Sequence, residues 1–203
     1  MKGIDIEADA FVCDLTDKAQ EDEVFDATIQ RFGQIDICFA NAGVGGPRSM
    51  LYQLKEDEWQ SVIDLNLNSV VYTYQNFFGQ LLERKAPGKL IVISSIASFM
   101  GMGFASRYAA TKAVVIGLTK AHAAELRRNN IQVNAILPGF IETDLKRNVP
   151  QHFKDAVVRR AVAGQMGTLD QMERVAVFLA SSTSNFITGK NNVMDGGHTI
   201  HPM

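Results

Sequence analysis

Short apolar runs along the chain alternate with longer stretches in which apolar positions recur at helical spacing. The runs predict strands at Asp9–Cys13, Ile35–Ala40, Lys89–Ser94, Ile131–Leu137 and Asn191–Met194. The periodic stretches predict helices at Lys18–Phe32, Glu56–Arg84, Ser106–Asn129 and Asp170–Ala180. Strands that alternate with long helices specify crossover units and therefore a parallel sheet. Leu90–Ile93 reads LIVI with no polar alternation, as expected of a strand covered on both faces. ANAGVGG follows one strand and LPG another, and in an open sheet of this kind ligands bind beyond the carboxyl ends of the strands. No repeat, low-complexity tract or linker-like run divides residues 1–203, so one α/β domain with a parallel sheet is expected.

The stretch Glu56–Arg84 is the irregular one. It is long for a single helix, and the polar run Asp64-Leu-Asn66-Leu-Asn-Ser69 interrupts it. A mid-helix asparagine in a buried stretch needs partners for its amide. Two readings stand side by side: a π-type bulge or hydrated break at a functional place, or one polar face with its asparagines in water.

Composition narrows the function. With 20 Lys+Arg against 22 Asp+Glu, the net charge is -2, which argues against a protein that coats nucleic acid or an anionic membrane. No run approaches the 18 consecutive apolar residues of a membrane span. The amino terminus MKGIDIEADA has no apolar core of the signal-peptide kind, so a cytoplasmic location is expected. Cys13 and Cys38 lie in apolar runs without zinc-type spacing, and they read as inert thiols; no metal site is expected.

The candidate chemistry lies in Ser95–Lys112. Tyr108 and Lys112 are four apart on one helix and share a face. A phenol with a reference pKa near 10 does little acid–base work at neutral pH, and a neighbouring ammonium favours its phenolate. Ser95 closes the preceding apolar strand, where its hydroxyl can hold a carbonyl or alcohol oxygen.

Further pieces stand around this core. They are CDLTD at Cys13–Asp17, ANAG at Ala40–Gly43 and DLNLNSV at Asp64–Val70. ISS is followed by YAATK, then VNAILPGFIETD at Val133–Asp144 and ITGKNNVMDGG at Ile187–Gly197. Taken together, in this order and covering essentially the whole chain, they resemble the short-chain dehydrogenase/reductase family. The resemblance implies a three-layer Rossmann-like parallel sheet and hydride transfer between a nicotinamide cofactor, NAD or NADP, and a small-molecule alcohol or ketone. It implies Asn66, Ser95, Tyr108 and Lys112 as the catalytic set, with Tyr108 the acid/base, Ser95 holding the substrate oxygen and Asn66 holding a water of the proton relay. Cofactor contacts are implied for Asp14, Asn41, Ala42, Gly43, Tyr108, Lys112, Pro138, Gly139 and Thr143. It also implies a homodimer or homotetramer assembled through the two long helices.

The resemblance is incomplete at the amino terminus. The family's Gly-rich phosphate turn between its first strand and first helix has no counterpart, because the third-strand motif is already reached at Cys13–Asp17. An N-terminally truncated fold lacking family strands 1 and 2 is expected, with weak dinucleotide binding. An inactive scaffold or oligomerising interaction protein is the alternative. Without those strands, Asp9–Cys13 either moves in beside Ile35–Ala40, or another subunit covers that edge, or the edge stays open. The segment Phe140–Thr168, with Phe153, Val157 and Val158 beside Lys154, Arg159 and Arg160, reads as a substrate lid or an amphipathic surface helix.

Overall fold

Burial on both faces marks the inner strands of the sheet. The computed structural model describes residues 6–143 and 150–200. Its strands are β1 (Ile37–Ala40), β2 (Gly88–Ile93), β3 (Ile131–Pro138) and β4 (Asn191–Met194). They pair in parallel in the order β1-β2-β3-β4, with Ala40 opposite Val92, Ile93 opposite Ile136, and Pro138 opposite Met194.

Leu90 and Val92 of β2, with Val133, Ala135 and Leu137 of β3, enter one core. Ile91 and Ile136 enter a second core on the opposite face. The first core is closed by α3 (Ser69–Arg84), through Val70, Tyr74, Phe77, Phe78 and Leu81, and by α4 (Ser106–Glu125), through Val115 and Ala123. Phe25 of α1 (Lys18–Phe32) packs against its margin. The second core is closed by Leu179, Val175 and Ala176 of α6 (Leu169–Ala180), whose start is fixed by a capping box between Thr168 and Gln171. Helices thus cover both faces of a parallel sheet, the three-layer α/β arrangement. Each fully buried Leu, Ile, Val or Phe contributes about 1.5–3 kcal/mol.

The irregular helix resolves into α2 (Glu56–Ile63), a π-helical turn (Asp64–Asn68) and α3. The bulge reading is the one the structure takes. Part of the later segment forms α5 (Gln151–Arg160), whereas Asp144, Lys146, Arg147 and Val149 lie outside the described residues.

One strand does not form. Residues 6–14, which contain the expected Asp9–Cys13 strand, carry no regular structure, and Val12 is fully exposed. An apolar run becomes a strand only when a neighbour takes its backbone hydrogen bonds. Among the described residues nothing pairs with the outer side of β1, whose Ile37 and Phe39 are each about 40% exposed. β1 also begins at Ile37, two residues later than expected. The long helix α4 ends at Glu125, with turns continuing to Asn130.

Candidate active site

Parallel pairing puts every strand's carboxyl end on one edge of the sheet, so Asn41, Ser95, Gly139 and Asp195 leave their strands on the same side. The segments holding the expected residues therefore converge there without being neighbours in sequence.

The π turn sets the centre. It carries Asn66, which is fully buried. The Val44 N–H donates to Asn66 Oδ1 at 2.8 Å, and Asn66 Nδ2 donates to the Val44 carbonyl at 2.8 Å and to Thr111 Oγ1 at 3.3 Å. Every polar atom of the amide is engaged, which answers the cost of burying it. Gly43 lies against this pair: a Cβ there would stand 3.1 Å from Asn66 Oδ1 and 3.3 Å from Lys112 Nζ. Asn66, Gly43 and Lys112 thus meet at one point.

Lys112 is buried on α4, and its ammonium donates to the Ile93 carbonyl at 2.8 Å. Burial pushes its pKa down to about 8, so it stays largely protonated at neutral pH. Its Nζ is 5.9 Å from the centre of the Tyr108 ring, one turn earlier. The Tyr108 carbonyl accepts from Thr111 Oγ1 at 2.9 Å, which ties the backbone beneath the phenol to the Asn66 network.

Ser94 and Ser95 part company. The Ser94 hydroxyl donates to the Lys112 carbonyl at 2.8 Å and fixes the end of β2 to α4. The Ser95 oxygen accepts from the Ala97 N–H at 3.2 Å, which leaves its proton to donate to a reacting oxygen.

The outlying residues frame this centre. At the end of β3, the Gly139 N–H donates to the Met194 carbonyl at 2.9 Å, and a Cβ on Gly139 would come within 2.8 Å of Asp195. Pro138 precedes it, and Thr143 follows the single bridge between Ile141 and Gly167. Asn41 and Ala42 line a cavity of about 220 Å³ with Leu15, and Asp14 stands at the entry to α1. The Asp14 carboxylate is exposed and accepts from the Thr16 N–H and hydroxyl, which lowers its pKa.

Sequence reasoning missed three contributors. Thr111 is fully buried and bridges Asn66 to Tyr108. Arg107 is buried beside Tyr108; it donates to the Pro47 carbonyl and pairs at 3.8 Å with Glu58, pinning the loop after β1. A Cβ on Gly46 would strike its guanidinium. Glu21 of α1 is buried, takes a hydrogen bond from Thr73, and leaves Oε2 unpartnered. Glu21 stands in the polar run Gln20-Glu21-Asp22-Glu23, so nothing in the sequence set it apart. Burial also pushes the Cys38 thiol up to about 12, in keeping with an inert cysteine.

The chain is similar to characterised proteins over most of its length. The family profile described as enoyl-(acyl carrier protein) reductase matches residues 3–199. The 3-oxoacyl-(acyl-carrier-protein) reductase of Thermotoga maritima is 35% identical over 199 residues, covering 98% of this chain and 80% of that protein. The corresponding enzyme of Escherichia coli is 33% identical over 183 residues, covering 90% and 74%. Among solved structures, a gluconate 5-dehydrogenase from Burkholderia cenocepacia in complex with NADP and tartrate superposes with a TM-score of 0.87 at 35% identity, covering 92% of this chain and 73% of that one. ElxO with NADP bound superposes with a TM-score of 0.85 at 28% identity, covering 92% and 76%.

Proposed function

From the premise that this chain belongs to the short-chain dehydrogenase/reductase family, as an NAD(P)-dependent oxidoreductase acting on a small-molecule alcohol or ketone, we propose that Tyr108 is its acid/base and that Asn66, Ser95 and Lys112 serve it. The observation that carries this reading is the contact of Gly43, Asn66 and Lys112 at one point, one helical turn from Tyr108.

The residues fit the nicotinamide and ribose end of the cofactor. At Gly43 the bare backbone allows close approach, and the buried Lys112 ammonium offers donors for ribose hydroxyls. Asn41, Ala42, Pro138, Gly139 and Thr143 border the same edge, and Asp14 is assigned the adenine side. The bound nicotinamide supplies or takes up hydride. In the reductive direction the Ser95 hydroxyl donates a hydrogen bond to the ketone oxygen, and Tyr108 delivers the proton that completes the alcohol. Lys112 holds positive charge near the phenol and favours the phenolate left behind. Asn66, through Thr111, fixes the turn of α4 on which Tyr108 stands.

The Gly-rich turn expected before CDLTD is not among these 203 residues, and Gly43, Gly45 and Gly46, which follow β1, do not replace it. Over residues 1–203 the reading is one domain of the family fold without the family's strands 1 and 2, with weak pyrophosphate anchoring when these residues stand alone. The apolar groove of about 360 Å³ between α3 and α4, lined by Val71, Tyr74, Phe78, Leu82, Leu118 and His122, is assigned to a second copy of the chain. Light scattering at micromolar concentration is expected to show a dimer or tetramer.

Turnover tests the assignment. Tyr108→Phe is expected to lower kcat by about 100-fold or more, the usual worth of general acid–base catalysis, with a much smaller loss of NADH and NADPH affinity by calorimetric titration. Undiminished turnover in that variant would overturn the acid/base role. A dissociation constant below roughly 50 μM in this 203-residue chain would overturn weak anchoring, since micromolar binding already represents about 8 kcal/mol.

A further inference from the structure

A cavity of about 250 Å³ lies beside the catalytic edge, between the loop Met100–Gly103, which leads from Ser95 to α4, and the inner side of α5. It is smaller than the roughly 300–1,000 Å³ of clefts that take drug-sized ligands, so its size suits a compact molecule. Three features give it a defined chemistry.

The first is charge. Arg48 lines the cavity and is held in place from two sides. Its Nη2 donates to the Gly103 carbonyl at 3.2 Å, and its guanidinium stands 5.8 Å from the ring centres of both Phe104 and Phe153. The neighbouring Ser49 N–H donates to the Phe104 carbonyl at 3.3 Å, which fastens the same two loops together. No carboxylate pairs with Arg48 among the described residues. Arg160 brings a second guanidinium to the lining, with its Nε donating to the His198 carbonyl at 3.3 Å.

The second is an orphaned polar atom. His198 lines the cavity, is only 4% exposed, and its Nδ1 has no hydrogen-bond partner. Burial and the nearby Arg160 charge lower its pKa, while the Asp195 charge and a hydrogen bond to the Val157 backbone act the other way. A neutral imidazole offers one donor and one acceptor, and a buried one without a partner costs stability until a ligand group fills the place.

The third is an apolar wall. Phe140 stacks between Phe153 and His198, with ring centres 5.8 Å and 5.0 Å away. The aromatic faces lower the dielectric on one side of the guanidinium and so strengthen an ion pair made against them. A guanidinium fork, a buried imidazole nitrogen and an aromatic wall match a short molecule that has a carboxylate at one end and a hydroxyl further along.

We propose that this cavity is a carboxylate subsite: Arg48 holds the acid end of a small hydroxy acid or keto acid, and His198 Nδ1 pairs with one of its hydroxyls. The proposal rests on the oxidoreductase reading for the fate of that molecule, but its binding test does not. Ligand-observed NMR titration with L-tartrate and with its uncharged diamide separates charge recognition from shape, because the two differ only in their acid groups. The unmodified chain is expected to bind tartrate at least 10-fold more tightly than the diamide. Arg48→Gln is expected to erase that preference, and Arg48→Lys to retain part of it. His198→Phe is expected to weaken both probes, because both carry hydroxyls. Equal affinity for the two probes in the unmodified chain would overturn the proposal, and so would an unchanged preference in a folded Arg48→Gln protein. If Arg48→Gln fails to fold, the tartrate-to-diamide ratio in the unmodified chain and in Arg48→Lys decides alone. Arg48-dependent binding without turnover would leave the subsite standing and defeat the oxidoreductase reading. Tyr108-dependent turnover of uncharged alcohols with no preference for acids would do the reverse.

Discussion

Asn66 clamps Val44 by two reciprocal hydrogen bonds, each 2.8 Å, so a side chain from inside a helix pairs with backbone in the way a strand would. The loop after β1 is held to the helix layer by this amide. Asn66→Ala is expected to cost about 1–2 kcal/mol, from the bonds lost and the backbone groups left to find water. Asn66→Asp is not expected to rescue it, because its second oxygen would face the Val44 carbonyl. Urea denaturation measures both, and equal stability of Asn66→Ala with the parent chain would show that the clamp carries no weight.

Lys112 gives a pH signature. Its pKa falls from 10.5 to about 8 on folding because burial disfavours the ammonium. Between those values the unfolded chain binds more protons, so stability rises with pH, and below about pH 8 the full cost of burying the charge is present. Lys112→Met removes that cost. Its stability relative to the parent is expected to be highest near pH 7 and to decline by up to about 3 kcal/mol as the pH approaches 10.5. A stability difference that stays constant across that range would mean that Lys112 is not depressed.

Glu21 has the opposite sign. Burial raises its pKa from 4.5 despite the hydrogen bond from Thr73. Here the folded chain binds more protons, so stability is lost as the pH climbs through the raised pKa. Glu21→Gln is expected to stabilise the protein by about 1–2 kcal/mol at pH 7, since an under-bonded buried polar atom carries a penalty of that order. It is expected to change little at pH 4. Thermal melts at the two pH values read this directly, and destabilisation at pH 7 would refute it.

Gly139 faces backbone, where nothing can swing aside. An alanine Cβ would meet Asp195 Cα at 2.8 Å. Gly139→Ala is expected to cost about 1–3 kcal/mol, as overpacking does, and to lower turnover by separating the ends of β3 and β4. A melting temperature within a degree of the parent would show that the two ends yield freely.

What the sequence made legible followed the physics each segment carries by itself. LIVI in β2 announces a strand covered on both faces. Phe11, Val12 and Cys13 carry a strand-like composition, but a strand is a property of two segments, and composition cannot supply the second. Tyr108 and Lys112 were visible because one helix holds both. Arg48 and His198 were not, since the fold alone brings them to one cavity from opposite ends of the chain. Thr111 sat unnoticed between Tyr108 and Lys112, because a threonine in a helix ordinarily bonds back to its own turn.

The wide turn at Asp64–Asn68 also sets a count. Buried positions run Val62, Asn66, Val70 and Tyr74 in steps of four before shifting to Phe77 and Leu81. A step of four overruns a 3.6-residue turn by about 40°, so three such steps in a regular helix would drift by about 120° and carry Tyr74 off the core. The wide turn absorbs that drift. Removing one residue between Val62 and Val70 would leave seven steps of about 100°, close to two full turns, so a regular helix would keep the aromatic stripe of α3 on the core and the wide turn itself would be lost. The extra residue between those two valines is thus what lets one face of the helix stay on the core while the Asn66 amide turns to the Val44 backbone.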